Sequence, residues 1–387
     1  MTDSLAIAPE INGIETVLTP ALLIFLDRLD QNLATTLRLL DGDPSRWRPH
    51  IKTAKLAETL NRLRQAGVTH FKCATTLELL TACQAGAKDV LVAYPCIGSR
   101  AQRVLAIAER YPETLVSVLV ENREEIERWR NTPIGLFLDI NPGMNRTGIG
   151  QENDGEVGAL AEMISAQQTR LGGLHYYDGH HCQPDLEQRQ AAAFRGYEIL
   201  LHLVDALTHR SIECPEVITS GTPALPCALA FSGFRTGAFC HRISAGTVVY
   251  NDLTSLWQLP SEWGYVLAAL VATTVVSKPV PGIITCDAGH KTVSADAGFP
   301  NCAVVGRPDL APLHPSEEHL PLRAKDPLRT PRVGDVLFLA PRHVCPTVNN
   351  FDHAILVRNW QIIGVVPVTA RGRENPLSEC GPAGLLS

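Results

Sequence analysis

The chain has 387 residues, of which 45% are hydrophobic, and a formal net charge of −6. That length allows a large barrel or two domains with a sizeable core. The acidic balance and the scattered Lys and Arg exclude a nucleic-acid footprint. No apolar run is long enough to span a bilayer, and MTDSLAIAPEINGIETVLTP lacks the basic start and long apolar stretch of a secretory leader. Eleven dispersed cysteines without a CxxC suit reduced thiols in a cytoplasm.

In chain order, short β-branched runs predict strands at 21–27, 47–52, 70–75, 89–94, 115–120, 135–141, 171–177, 216–221 and 242–249. Amphipathic stretches at 56–66, 76–85, 101–110, 123–130 and 186–208 separate most of them. Thr75 and Glu78 stand three apart, the spacing of a capping box. Alternating strands and helices indicate parallel βαβ units. Nine strands are one too many for a (β/α)8 barrel. If 21–27 lies outside, the eight from 47 to 249 close it, and Lys52 falls at the C-terminal end of the first, where this fold keeps its active sites. After Trp263 strand-like runs crowd together and helices nearly vanish, which predicts a β-rich domain. The expected division is 1–30 as a strand joining the β domain, 31–262 as the barrel and 263–387 as the C-terminal β domain. The stretch 307–332, rich in Pro and charge, reads as a surface insertion.

Lys52 ends the mostly apolar run Arg48-Pro49-His50-Ile51-Lys52. Such surroundings favour the neutral amine that Schiff-base chemistry needs; a lysine snorkelling from a strand end is the plainer alternative. Strand seven runs into Ser220-Gly221-Thr222, and strand eight contains Ser244-Ala245-Gly246-Thr247. Loops after strands seven and eight are the usual phosphate site of this fold. Glycines there let N–H groups approach phosphate oxygens, and hydroxyls add donors. A phosphate carrier across the barrel mouth, within reach of Lys52, is the expected ligand. The turn Asn141–Gly148 presents Arg146 at the same rim. His175 and Tyr177 share one strand face, and either suits a contact to a ring or a substrate; barrel packing explains a lone Tyr equally well. His343 and Cys345, two apart in an apparently extended PRHVC, would face the same way and suit zinc. A core Cys beside a surface His reads as well. His180-His181-Cys182 is a third ligand-rich cluster without partners at metal spacing, and either histidine is a candidate acid–base group.

The runs RPHIKT, NPGMNRTG, GTVVYND, CDAGHKTVSAD and PRHVCPTVNNFD together resemble the D-threonine aldolase and D-serine dehydratase family, from about Thr19 to about Val368. The resemblance implies the fold type III of pyridoxal phosphate (PLP) enzymes shared with alanine racemase: an α/β PLP-binding (β/α)8 TIM barrel plus a C-terminal β-rich domain. It implies that Lys52 holds PLP as a Schiff base, that Gly246 and Tyr250 contact phosphate, and that Arg146 is the family's turn arginine. It makes His343 and Cys345 a pair for a divalent metal, zinc preferred, manganese or magnesium the alternatives. It also implies a homodimer. The sequence departs from the family at Ala54, where relatives have His, and at His175-Tyr176-Tyr177, where they often have Gln-Ala-Tyr.

The expected activity is a PLP- and metal-dependent lyase acting on β-hydroxy-D-amino acids, D-threonine aldolase in type. The same parts also serve a D-serine or 3-hydroxy-D-aspartate dehydratase. A non-catalytic PLP carrier and a PLP-free metal hydrolase are the rivals in class.

Overall fold

A computed structural model describes residues 5–376. Among the described residues the chain divides into two compact units that interleave in sequence: one of 5–38, 53–59 and 247–371, the other of 39–52, 60–246 and 372–376. Segments 31–38, 53–59 and 247–262, inside the expected barrel range, cluster with the β-rich unit.

The first strand, β1 (Ala21–Phe25), belongs to the β-rich unit. Seven parallel strands and one short addition build the other: β2 (His70–Cys73), β3 (Asp89–Pro95), β4 (Leu115–Val120), β5 (Gly135–Asn141), β6 (Ile149–Gly150), β7 (Leu171–Tyr176), β8 (Glu216–Thr219) and β9 (Cys240–Ile243). The order is β2-β3-β4-β5-β7-β8-β9, with the two-residue β6 paired to β5 alone. Helices such as Thr76–Gln84, Asp154–Ala166 and Leu186–His209 link them. Thr75 and Glu78 form the reciprocal capping box the spacing predicts. Leu91, Leu119, Phe137 and Ile218 pack as an apolar cluster contributed by four of the strands.

The segment 47–52, expected as the first barrel strand, is not a regular strand. It joins the two edge strands through isolated parallel bridges, Trp47 to Ile243 of β9 and His50 to Lys72 of β2. Arg48 N–H donates to Ile243, and Lys72 N–H donates to Pro49. Pro49 lacks the N–H of a regular ladder, which explains the broken pairing. Arg48 compensates. Its buried guanidinium holds Glu216 of β8 through two hydrogen bonds of 2.7 and 2.8 Å and Asp89 of β3 through one of 2.7 Å. The expected strand 242–249 is likewise shorter. Pairing ends at Ile243, residues 244–246 are loop, and Thr247–Val249 is a single 3-10 turn.

The β-rich unit holds β1 and β10 (Ala269–Val280), β11 (Ile283–Cys286), β12 (Cys302–Val304), β13 (Leu310–Pro312), β14 (Leu320–Ala324), β15 (Val336–Pro341), β16 (His353–Arg358) and β17 (Gln361–Pro367). The N-terminal strand pairs antiparallel with β10 and parallel with β16. The stretch 307–332 is not a surface insertion: β13 and β14 extend the sheet onto β11, and Leu310, Leu320 and Leu322 are buried in its core. Among the described residues no helix is long and apolar enough to cross a membrane.

Candidate active site

A cavity of about 400 Å³ opens at the C-terminal ends of the barrel strands. Lys52 lines it, in the turn that follows the bridging segment, and its backbone N–H donates to His50 Nδ1 at 3.1 Å. Lys72 and Ala74 line it from the end of β2, Tyr94 and Pro95 from β3, and His175 and Tyr177 from the end of β7.

Arg146 reaches the same cavity from the turn after β5. Asn141 builds that turn: its side-chain oxygen accepts the N–H groups of Gly143 and Asn145 at 3.1 and 2.9 Å. Gly148, at φ +100°, could carry no Cβ without striking the backbone of Asp139 and Asn141. The Arg146 guanidinium lies 4.8 Å from the centre of the Tyr177 ring, and Lys72 Nζ lies 5.4 Å from it.

The two phosphate-type loops sit behind residues that line the cavity. A Cβ at Gly246 would collide with the His50 carbonyl, and one at Gly221 would meet the Tyr177 ring at 3.1 Å. Ser220 and Ser244 hydroxyls are buried without hydrogen-bond partners among the described residues. Such groups are costly to leave unpaired. Two orphaned hydroxyls, beside Gly246 where a Cβ would collide with backbone and Gly221 where one would be tight, fit the phosphate of pyridoxal phosphate, and Lys52 would be the lysine to hold its aldehyde carbon. Thr222 is buried at the start of a single 3-10 turn after Gly221. The Gly221 N–H donates to Asp178, a fully buried carboxylate. Burial pushes its pKa up to about 6, while hydrogen bonds from Tyr197 and Gly221 pull it down.

The His180 and His181 rings lie 4.0 Å apart, tilted by 37°, in the loop after β7 and do not line the cavity. Burial lowers both pKa values, that of His181 to about 4. Each Nδ1 is buried without a partner among the described residues.

The β-rich unit holds the HVC pair, and its geometry differs from the expected extended segment. His343 ends the strand region as the N-cap of the helix Val344–Asn349, and Cys345 lies in the first turn of that helix. The pair stays together all the same, because a hydrogen bond joins the His343 imidazole to Cys345. His343 Nδ1 lies 2.6 Å from Asp296, and Cys345 Sγ lies 2.9 Å from Thr53 Oγ1 and 3.7 Å from Thr247 Oγ1. Asp252 holds the turn by accepting the Val344 N–H at 2.9 Å. Burial lowers the imidazole pKa, but Cys345 and Asp296 together carry it up to about 9. Imidazole and thiol donors, with a carboxylate orienting the imidazole, fit a divalent metal. No third His, Cys, Asp or Glu completes a ligand cluster among the described residues. Tyr250 is fully buried, and its hydroxyl is engaged by Thr59 at 2.6 Å and by the Ala54 carbonyl at 3.2 Å. Thr247 and Tyr250 both lie in the β-rich unit.

The sequence pattern of the alanine racemase N-terminal domain matches residues 24–250, well over half of the chain. The chain belongs to the alanine racemase N-terminal domain family. A second pattern, that of a putative serine dehydratase domain, matches residues 268–357. A D-threonine aldolase of Arthrobacter sp. is 27% identical over 367 residues, covering 92% of this chain and 93% of the relative. A D-threo-3-hydroxyaspartate dehydratase of Delftia sp. is 26% identical over 362 residues, covering 87% and 93%. The solved D-threonine aldolase of Filomicrobium marinum superimposes with a TM-score of 0.85 at 27% identity, covering 95% of this chain and 99% of that one. The fold is therefore the alanine racemase-like barrel, a fold of PLP enzymes, accompanied by a β-rich sheet.

Three residues of this alanine racemase-like chain, Lys72, Asp139 and Asp296, are not marked as functional by the sequence. Lys72 is 2% exposed and lies 3.3 Å from His175 Nε2, while His175 Nδ1 lies 2.7 Å from Asp139. The alternation of β2 carried the signal, since Lys72 and Ala74 share the cavity-facing side of HFKCA. Asp296, the partner of His343, sits at the end of CDAGHKTVSAD, 47 residues from it, and nothing local marks it.

Proposed function

We propose that the protein is a PLP- and metal-dependent lyase that cleaves β-hydroxy-D-amino acids, D-threonine aldolase in type. The observation that carries this reading is Lys52 in a cavity at the barrel's C-terminal rim, backed by two glycines and two orphaned buried hydroxyls. Lys52 would hold the cofactor, and Ser220, Gly221, Thr222 and Gly246 its phosphate. Arg146 and Tyr177 would flank the ring. Pyridoxal phosphate, when bound, supplies the electron sink for a carbanion at the substrate Cα. A divalent ion, if held by His343 and Cys345, would supply Lewis-acid polarisation of a β-hydroxyl, and a cysteine ligand would favour zinc. Asp296 fixes the imidazole tautomer by accepting from Nδ1, which leaves Nε2 for the metal. His180 and His181, in the loop after β7, would be the candidate groups to accept the β-hydroxyl proton, which requires that the substrate reach that loop beyond the cavity lining.

The D-threonine aldolase of Arthrobacter and the hydroxyaspartate dehydratase of Delftia bracket the two outcomes. Incubating the purified protein, loaded with PLP and zinc, with D-threonine and with D-serine separates them. Glycine plus acetaldehyde from D-threonine is the expected result. Pyruvate from D-serine, with no glycine from D-threonine, would replace the aldolase reading with the dehydratase one.

A further inference from the structure

Lys72 has no assigned work in the chemistry above, yet it lines the same cavity as Lys52 and is almost wholly buried. A buried amine without a purpose is expensive. Its one side-chain hydrogen bond among the described residues runs to His175 Nε2, and His175 in turn runs to Asp139. The chain is self-consistent in one proton arrangement: Lys72 donates to Nε2, and Nδ1–H donates to the carboxylate. An ammonium has three N–H bonds, so two remain for the cavity.

Among the described residues no carboxylate lines the cavity. Asp139, the acid closest to Lys72 in this chain of contacts, is committed to His175. A pyridine ring or its phenolate placed in the cavity therefore meets cationic donors, where many PLP sites offer the ring nitrogen a carboxylate.

We propose that Lys72 donates a hydrogen bond to the ring of the cofactor held by Lys52, and that the Lys72–His175–Asp139 chain sets the proton count of that ring. This rests on Lys52 carrying PLP. If a proton passes from Lys72 Nζ to the ring, a neutral amine remains, still able to donate to His175, and Asp139 stays paired with Nδ1–H. The titration range suits the role. Burial, then the charge of Lys52, lowers the pKa of Lys72 to about 7; Asp139 and Asp178 raise it, and Arg146 lowers it again. His50, Tyr94 and Tyr177 line the same cavity. His175 is held neutral by burial first and then by the Lys72 charge, with Asp139 opposing.

The test is a pH titration, from 5.5 to 9.5, of the visible cofactor band in the PLP-loaded wild type and in Lys72→Met, Lys72→Arg and His175→Gln. Borohydride reduction and peptide mapping on each sample locate the cofactor. Wild type shows a transition near neutrality. Lys72→Arg, cationic throughout, holds the acid-side spectrum across the range, and Lys72→Met loses the transition. His175→Gln moves the midpoint by about one pH unit or more, the scale expected when one close partner of a buried group is removed. A wild-type midpoint in Lys72→Met, with the label still on Lys52, overturns the proposal and leaves the lyase reading standing. Should Lys72→Met not fold, unchanged midpoints in the other two variants overturn it equally. Absence of label from Lys52 in wild type would instead remove the reading beneath it.

Discussion

Replacing Arg48 with Met tests how the barrel is closed and why Lys52 is where it is. Arg48 is fully buried and stands four residues before Lys52, in the segment that bridges β9 and β2 without a regular ladder. The change deletes two hydrogen bonds of 2.7 and 2.8 Å to Glu216 and one of 2.7 Å to Asp89. Glu216 keeps Arg242 as a partner. Asp89 keeps partial access to water at 13% side-chain exposure. Breaking a buried ion pair from one side costs about 3–5 kcal/mol, and these two reliefs place the expected loss at the lower end, about 3–4 kcal/mol. With a urea m-value of about 3 kcal/mol/M, the unfolding midpoint falls by about 1 M. Tryptophan fluorescence reads the transition, since Trp47 is buried beside Arg48. The pair with Asp89 adds a pH signature. Burial raises this carboxyl's pKa, but Arg48 outweighs that and holds it below 3.8, so its share is present above the unfolded value and lost as pH falls through the folded one. The variant should therefore lose less stability than wild type on acidification below about pH 4. A midpoint within about 0.3 M of wild type would refute the closure argument, because a strut worth under about 1 kcal/mol cannot stand in for a ladder.

Asp296→Asn should weaken zinc binding about 10–100-fold, measured by equilibrium dialysis, because the imidazole loses its orienting carboxylate; unchanged affinity would show that His343 is not a ligand. Ser220→Ala with Ser244→Ala should lower the affinity for PLP with little change in melting temperature, since neither hydroxyl has a protein partner to lose among the described residues; unaltered affinity would remove both from the phosphate cup. Lys72 carries a pH-dependent cost. Its folded pKa is depressed from 10.5 to about 7, so the unfolded chain binds more protons between those values, and stability rises with pH across that window. Lys72→Met should accordingly be more stable than wild type at pH 7, by at most about 5 kcal/mol, with the gap closing towards pH 10.5. An equal gap at both pH values would mean that Lys72 is charged when folded.

Much of the barrel was legible in the sequence because its strands are short β-branched runs that end in small or polar residues, and parallel pairing follows from the helices between them. What escaped was decided by partners far away. The 47–52 segment reads as a strand, yet Pro49 breaks its ladder and Arg48 anchors it through Glu216, 168 residues on. Pro312 and Pro321 made 307–332 look like loop, but the Pro321 carbonyl still accepts the Leu313 N–H, and alternating Leu320 and Leu322 fill the core. The HVC pair was readable as chemistry and misread as geometry. Its β-branched neighbours suggest extension, whereas Pro346 is well placed in the first turn of a helix. Lys72 was hidden because a lysine in a strand is usually a solvated one, and only the fold places His175 against it.

The central claim is that Lys52 carries the cofactor. Purified protein is incubated with pyridoxal phosphate, reduced with borohydride and digested, and the pyridoxyl group is located by mass spectrometry. Yellow protein and a single label on the peptide spanning Lys52, absent from Lys52→Ala, is the predicted result. A protein that stays colourless, or a label that falls on Lys72 or Lys55 in place of Lys52, would contradict it.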